Sequence, residues 1–132
     1  MVSRFKELVV DSHDPRALAE FWCAVLGYEI TEEEDGLVEI AGASWTVDDV
    51  RASPVVPTIL FAPVPELKTV KNRIHIDVNP IDRTQAEEVE RLEALGARRV
   101  DIGQGDVHWV VMVDPEGNEF CVLRSLAPGE YP

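Results

Sequence analysis

The sequence has no long apolar run and contains only two cysteines. No apolar segment approaches the roughly 20 residues that a membrane-spanning helix needs, and the N-terminus has no charged and then apolar leader segment. We therefore expect a cytoplasmic protein with no membrane partner. Cys23 and Cys121 fit no metal-knuckle spacing, so we expect both to be thiols in a reducing cytosol.

Basic residues are scarce, with 12 Lys and Arg against 25 Asp and Glu, which gives a formal net charge of −13. Such a surface repels phosphate backbones, so we expect no nucleic-acid partner. Solubility alone accounts for the excess acid, and an anionic ligand would need a local positive site. The sequence also lacks a glycine-rich phosphate loop, a G-x-S-x-G elbow and a paired-histidine helix motif.

A β-hairpin is predicted near the C-terminus, where two runs rich in β-branched and aromatic residues flank the turn 114–118. Pro115 presets the first corner of the turn, and Gly117 accepts the left-handed conformation that follows. Alternation places Glu119 and Cys121 on one face of the second strand and Phe120 on the other.

Two amphipathic helices are predicted upstream of the hairpin. Asp14 and Pro15 are suited to begin the first and Gly27 to end it, whereas the second covers 83–95 after an N-cap at Asp82. The apolar residues at helical spacing are Leu18, Phe21, Trp22, Val25 and Leu26 in the first helix, and Ala86, Val89, Leu92 and Leu95 in the second.

The strands and helices repeat along the chain. The predicted strands cover 5–10, 28–31, 37–41, 57–61, 72–78, 98–102, 107–113 and 118–123, and 42–56 is interpreted as a long hairpin connection or an irregular edge. The two halves match at an offset of 69 residues, from Leu26 to Leu95. We expect an α+β fold in which two βαβββ repeats form a curved mixed sheet with helices on one face and a cleft on the other.

The repeats define one domain over residues 1–132. Repeat one covers about 4–62, a proline-rich connector covers 63–71, and repeat two covers about 72–125. The tail at 127–132 is predicted to be loose or docked at an edge.

Three segments resemble the vicinal oxygen chelate superfamily, also called the glyoxalase/bleomycin-resistance/dioxygenase superfamily. More narrowly, they resemble its bacterial glyoxalase-like domain proteins. The resemblance is specific for the fold and weak for the reaction. The segments are Asp-Pro-Arg-Ala-Leu-Ala-Glu-Phe-Trp-Cys-Ala-Val-Leu-Gly-Tyr (14–28), Lys-Asn-Arg-Ile-His-Ile-Asp-Val (71–78) and Asp-Pro-Glu-Gly-Asn-Glu-Phe-Cys-Val-Leu (114–123).

The resemblance also identifies the positions from which metal-dependent members take their ligands. These positions hold Lys6, His75 and Cys121, the last where glutamate is usual, and the end of the first half (59–62) offers no ligand. An ammonium repels a divalent ion, which prefers carboxylate or imidazole donors. We therefore expect no metal and no cofactor, which disfavours glyoxalase I, extradiol dioxygenase and metal-dependent fosfomycin-modifying activities. A zinc site from His75, Cys121 and Glu119 is the open alternative.

Ionisable side chains gather on the predicted cleft face. Alternation places Arg73, His75 and Asp77 on that face of the fifth strand, and Glu119, Cys121 and Lys6 join them from other strands. One interpretation is a structural network in which His75 bonds Asp77 or Glu119, and Lys6 pairs with Glu119. The other is a site in which His75 is a general acid or base oriented by a carboxylate, and Lys6 neutralises an oxyanion.

Two tryptophans are candidates for covering a flat apolar ligand. Trp45 lies in the irregular segment and Trp109 at the start of the seventh strand, and core packing is the alternative for each. Cys121 would need His75 as its base to act as a nucleophile, and otherwise is a packed thiol.

These residues support a metal-free small-molecule binding protein that holds an apolar or aromatic ligand in the cleft. One alternative is a metal-independent isomerase, lyase or hydrolase that uses His75, and another is a metal-dependent glyoxalase-type lyase or dioxygenase. The resemblance further implies a homodimer. In this hypothesis Arg73, Asp77 and Cys121 contact the ligand together with the two tryptophans.

Overall fold

The computed structural model describes residues 2–130 and divides into two compact units between Leu67 and Lys68. Unit 1 contains β1 (Glu7–Ser12), α1 (Pro15–Leu26), β2 (Glu29–Glu34), β3 (Leu37–Ala41), α2 (Val47–Ala52) and β4 (Thr58–Pro63). Unit 2 contains β5 (Ile76–Val78), α3 (Gln85–Ala94), β6 (Arg98–Arg99), β7 (Val110–Val113) and β8 (Glu119–Val122). Each unit has a four-stranded mixed sheet, which confirms the α+β class and the repeat.

Unit 1 forms a sheet of order β1-β4-β3-β2, in which β1 and β4 are parallel and the other pairs antiparallel. The predicted caps of α1 are confirmed, because the Asp14 carboxylate accepts a hydrogen bond from the Ala17 N–H and Gly27 takes a left-handed conformation. Leu18, Phe21 and Trp22 of α1 are buried, and the helix packs on β3 and β4.

The two faces of the unit 1 sheet differ in chemistry. Val38, Ile40, Ile59 and Phe61 are buried on one face of β3 and β4. The register places Glu39 beside Leu60, and Glu7 beside Thr58, on the opposite face. Burying apolar side chains under α1 stabilises the unit, and polar side chains are thereby left on the other face.

The segment 42–56 differs from its sequence prediction, because it contains α2 and not an irregular connection. Thr46 caps this helix by accepting a hydrogen bond from the Asp49 N–H, while the Asp49 carboxylate accepts one from the Thr46 N–H. This reciprocal capping box satisfies two otherwise unpaired backbone donors. The first predicted strand is also corrected, since β1 begins at Glu7 and Lys6 lies just before it.

Unit 2 forms a sheet of order β5-β8-β7-β6, and the predicted hairpin is confirmed as β7 and β8. The Asp114 carboxylate accepts hydrogen bonds from the N–H groups of Glu116 and Asn118 and from the Asn118 side chain. Gly117 has a φ of 87°, the conformation that the turn requires. Phe120 lies beside Met112 and Ile76, all on the face opposite Cys121.

The other elements of unit 2 are shorter than the sequence predicts. The fifth strand covers only Ile76–Val78, because its partner β8 begins at Glu119 and offers no ladder to residues 72–74. Ile74 is therefore 74% exposed and not in the core. The predicted strands at 98–102, 107–113 and 118–123 reduce to Arg98–Arg99, Val110–Val113 and Glu119–Val122.

The second predicted helix begins at Gln85, because Thr84 caps it through a capping box with Glu87, and Asp82 is not the N-cap. Val89 and Leu92 are buried as predicted, whereas Ala86 and Leu95 are exposed. The inward position instead belongs to Glu88, whose carboxylate accepts two hydrogen bonds from Arg91. A paired, hydrogen-bonded carboxylate can be buried at acceptable cost.

None of the helices in residues 2–130 is long and apolar enough to cross a membrane. Cys23 and Cys121 are both thiols. The end of the predicted loose tail, Tyr131 and Pro132, lies outside the described residues.

Candidate functional site

Unit 1 contains a cavity of about 490 Å³ on the polar face of its sheet. Its walls include Lys6, Glu39, Trp45 and Thr58. Drug-sized ligands occupy pockets of roughly 300–1,000 Å³ that combine apolar walls with a few polar groups. The cavity thus has the size and composition of a small-molecule site and unites two predicted site residues, Lys6 and Trp45.

The elements of the sheet position the polar walls of the cavity. Lys6 is fixed beside β4 because its carbonyl accepts a hydrogen bond from the Thr58 N–H at 3.3 Å. Glu39 projects from β3, and its Oε1 accepts a hydrogen bond of 2.7 Å from the Thr31 hydroxyl. The Thr58 hydroxyl donates to Glu7 Oε2 at 2.8 Å. These bonds hold hydroxyl and carboxylate groups in place at the sheet side of the cavity.

The α2 helix supplies the apolar wall, together with the loop that precedes it. Trp45 lies directly before the N-cap Thr46 and is 42% exposed. The hydrogen bonds from the Thr46 N–H and hydroxyl lower the pKa of the Asp49 carboxyl. Arg4 anchors the other end of the helix by donating from Nε to the Val50 carbonyl at 3.0 Å. Hydrogen bonds therefore hold both ends of α2 in place, and with them the apolar wall.

A second cluster lies in unit 2, where His75, Asp77 and Cys121 come together. His75 Nε2 lies 3.1 Å from Asp77 Oδ1, and both side chains are about half exposed. Asp77 is the strand partner of Cys121 in the β5–β8 ladder. One nitrogen, one oxygen and one sulfur atom of these residues all lie within 4.8 Å of one another.

The environment of Cys121 keeps its thiol protonated. Burial raises the pKa of Cys121, and the negative charge and hydrogen bond of Asp77 raise it further, against a smaller opposing effect of Lys71. A nucleophilic cysteine needs a depressed pKa. The cluster therefore disfavours Cys121 as a nucleophile and leaves His75 as the more available proton-transfer group.

The donor set of this cluster suits zinc, which binds imidazole nitrogen, carboxylate oxygen and thiolate sulfur together. Three protein ligands with one open position are typical of a catalytic zinc site. The raised pKa of Cys121 means that zinc would have to displace the thiol proton. His75, Asp77 and Cys121 therefore offer donor atoms that zinc accepts, but zinc binding would require Cys121 to lose its proton.

Glu119 belongs to a different network in unit 2. Its Oε1 accepts a hydrogen bond of 2.8 Å from Lys68 Nζ, and its Oε2 accepts one of 3.1 Å from the Asn72 N–H. Burial would raise the pKa of Glu119, but the Lys68 and backbone hydrogen bonds and the Lys68 charge together hold it below its usual value. Of the two carboxylates considered for His75, the structure pairs His75 with Asp77.

The remaining predicted site residues occupy separate places. Arg73 is exposed and lies before β5, and not on the strand. Trp109 is half-buried directly before β7, where its ring packs edge to face on His108 with centroids 5.2 Å apart. Such aromatic contacts add modest stability, which agrees with a packing role for Trp109.

Sequence reasoning missed Glu39, Thr58 and Lys68. Alternation along the predicted strand 37–41 would have found Glu39, since it lies between the buried Val38 and Ile40. The partners of Thr58 follow from the β1–β4 register, which the sequence alone does not specify. Lys68 lies in the connector, and no local pattern indicates that it reaches β8.

The glyoxalase-like domain model matches residues 7–123 of this chain. None of the curated proteins is significantly similar in sequence.

Solved structures of similar fold include the hypothetical protein SA1046 from S. aureus, with 18% identity over 94% of this chain and 95% of that one and a TM-score of 0.61. A possible glyoxalase from Bacillus cereus has 14% identity, coverages of 90% and 96%, and a TM-score of 0.59. The trypanothione-dependent glyoxalase I of Leishmania major has 15% identity, coverages of 93% and 87%, and a TM-score of 0.63. At these identities the similarity establishes the fold alone.

Proposed function

The chain belongs to the glyoxalase-like domain family of the vicinal oxygen chelate superfamily, and we propose that it is a small-molecule binding protein. The ligand is apolar or aromatic, and it occupies the cavity of unit 1 without a metal ion. The observation that carries this proposal is the cavity of about 490 Å³, whose walls unite Lys6 with Trp45.

The chemistry of the cavity walls supports both an apolar or aromatic ligand and binding without a metal ion. The Trp45 ring, 42% exposed, offers apolar area to a flat ligand at low entropic cost. The Lys6 ammonium repels a divalent cation and attracts a polar or anionic group of a ligand. A family fold does not fix the reaction, so the function is argued from this site.

The proposal is tested by titrating the protein with a set of aromatic and aliphatic compounds while following tryptophan fluorescence and heat. A ligand of this cavity is expected to bind with a Kd unaffected by a chelator. Trp45→Ala is expected to weaken binding by about tenfold or more, as for an aromatic side chain that a ligand covers. Trp109→Phe is the matched control and should leave the Kd unchanged. Turnover of a bound compound, or equal effects of the two substitutions, would contradict the proposal.

A second candidate function is metal-independent isomerase, lyase or hydrolase activity with His75 as general acid or base. The observation that favours it is the 3.1 Å contact between His75 Nε2 and Asp77 Oδ1. A neutral His75 that donates its Nε2–H to Asp77 keeps the lone pair of Nδ1 for a substrate proton. Asp77 also stabilises the imidazolium that forms when that proton is taken.

This candidate predicts that His75→Ala binds substrate normally but loses turnover by 10²- to 10⁴-fold, roughly the contribution of a general acid or base. His108→Ala, which removes an exposed histidine of the same unit, is the control. Unchanged turnover in the His75 variant would exclude this role.

The third candidate is a metal-dependent lyase or dioxygenase, which is favoured by the donor set of His75, Asp77 and Cys121. When bound there, a divalent metal would act as a Lewis acid that polarises a substrate oxygen. Elemental analysis of protein purified without a chelator separates this candidate from the first two. Stoichiometric zinc, nickel or manganese that is lost in Cys121→Ser would support it and overturn metal-free binding, whereas absence of metal after incubation with each ion would exclude it.

A further inference from the structure

Two side chains of opposite charge line the unit 1 cavity without a countercharge. Within residues 2–67, the Lys6 ammonium makes neither a hydrogen bond nor an ion pair, and it is exposed at the cavity wall. Within the same residues, Glu39 accepts from the neutral Thr31 hydroxyl and has no cationic partner within 4.0 Å. The two are not paired with each other, so each can receive an oppositely charged group of a ligand.

The remaining cation of the cavity wall differs from Lys6. Arg51 Nη1 lies 2.7 Å from Asp48 Oδ1, one helical turn away on α2. Asp48 therefore compensates the charge of Arg51, and a ligand anion would stabilise Arg51 less than an unpaired cation. Of the two cations that line the cavity, Lys6 is therefore the one without an anionic partner in residues 2–67.

A second carboxylate lies beside Glu39 and makes a cation at this position more favourable. In the β2–β3 ladder the strand partner of Glu39 is Glu32, another carboxylate. Like charges directly opposite each other on neighbouring strands are destabilising. A ligand ammonium beside Glu39 would form a charge-assisted hydrogen bond and reduce this repulsion.

Apolar side chains also line the cavity. They are the Trp45 ring and the aliphatic side chains of Val47, Val50 and Val55. The cavity therefore combines one carboxylate without a cationic partner, one ammonium without an anionic partner and these apolar side chains. A ligand that matches all three has a cation, an anion and an apolar body.

We propose that the cavity binds an amino-acid-like zwitterion with an aromatic or aliphatic side chain. The carboxylate pairs with Lys6, the ammonium pairs with Glu39, and the side chain packs on Trp45. This inference rests on the proposed binding function and specifies the class of ligand for the same cavity.

The test compares three compounds that share one ring and differ in charge: L-phenylalanine, 3-phenylpropionate and 2-phenylethylamine. Calorimetric titration at pH 7 is expected to give the lowest Kd for L-phenylalanine, by roughly fivefold over each analogue, the upper range for an exposed ion pair. Equal Kd values for the three compounds would overturn the zwitterion and leave small-molecule binding intact. Binding of none of them would overturn it as well, and the wider compound set then decides the proposed function separately.

Two substitutions assign each charge to its partner. Lys6→Met is expected to remove the advantage of L-phenylalanine over the amine, and Glu39→Gln its advantage over the acid. Arg51→Met removes the ion-paired cation of the same cavity and is expected to change the Kd of the acid less than Lys6→Met does. If Arg51→Met weakens the acid as much as Lys6→Met does, the assignment of Lys6 is wrong. Circular dichroism of each variant separates loss of binding from loss of fold.

Discussion

At the scale of single residues, Asp77 adds to the effect of burial on the pKa of the Cys121 thiol. Burial and the Asp77 carboxylate both raise the pKa of Cys121, so little thiolate is present at neutral pH. Asp77→Asn removes the charge and keeps the shape. We expect alkylation of Cys121 by iodoacetamide at pH 8 to accelerate by up to about tenfold, since one pKa unit changes the thiolate fraction tenfold.

Mass spectrometry in a Cys23→Ser background measures this rate, because Cys23 is the other thiol of the chain. Asp82→Asn, which removes an exposed carboxylate beside Arg83, is the matched control. An unchanged rate in Asp77→Asn would show that burial alone protects the thiol.

The Lys68–Glu119 pair is a second residue-scale feature, and it contributes to stability. The two side chains are 19% and 9% exposed, so removing the lysine leaves a nearly buried carboxylate without a cation. We expect Lys68→Met to lower the free energy of unfolding by about 1–3 kcal/mol in urea titrations. Lys71→Met is the control, because Lys71 is exposed and donates to the backbone carbonyl of the neighbouring Asn72. Equal costs for the two substitutions would contradict this role.

This contribution depends on pH in a defined direction. The folded-state pKa of Glu119 lies below its ordinary value of 4.5, so its ionised form adds stability that is fully present above pH 4.5. The stability is lost as the pH falls through the folded-state value. The cost of Lys68→Met should therefore shrink on acidification, and Glu119→Gln should remove this pH dependence.

The sequence predicts which side chains share a face of a strand, because side chains alternate along it. It does not predict partners that lie far apart in the chain. Alternation along the strands places His75, Asp77 and Cys121 on a common face, and the structure brings these three together. The partner of Glu119 comes from the connector, 51 positions away, and no local pattern specifies it. For the same reason the sequence singles out Lys6 and Trp45 separately but does not predict that both line one cavity.

At the scale of elements, a helix is predictable when its caps and its apolar stripe agree. Asp14, Pro15 and Gly27 mark the ends of α1, and its stripe packs on the sheet. The α2 helix has six residues and buries none of them, so it carries no amphipathic signal. Its only sequence signal is the pair Thr46 and Asp49, and threonine and aspartate are also common in loops. The structure shows that the two residues form a reciprocal capping box.

Both α2 and α3 begin with a capping box, but only α3 buries side chains. Thr84→Val is expected to lower the free energy of unfolding by about 1 kcal/mol, because α3 buries Val89 and Leu92 and fraying exposes them. Thr46→Val should leave global unfolding unchanged and loosen only α2, which weakens ligand binding beside Trp45. Urea titration measures the first effect, and hydrogen exchange at the Asp49 amide measures the second. A global loss in Thr46→Val would show that α2 is part of the stable core.

At the scale of the whole molecule, the fold indicates the family but not the reaction. The hairpin turn and the repeated sheets are predictable from the sequence, and the family model covers most of the chain. Chemistry depends on a few side chains placed on that scaffold. The ammonium of Lys6 and the thiol of Cys121, at positions where metal-dependent relatives are expected to have ligands, are the residues that separate the three candidate functions.

Members of this superfamily commonly form dimers, and a net charge of −13 on each chain opposes such association. We propose that this chain forms a homodimer whose affinity rises with salt, since salt screens the repulsion between two acidic chains over about 10 Å at 0.1 M. Sedimentation at micromolar concentration is expected to show a species of twice 14.7 kDa at moderate salt and dissociation at low salt. Sodium and potassium chloride should act equally, because screening depends on ionic strength. A 14.7 kDa species at every salt concentration would reject the dimer.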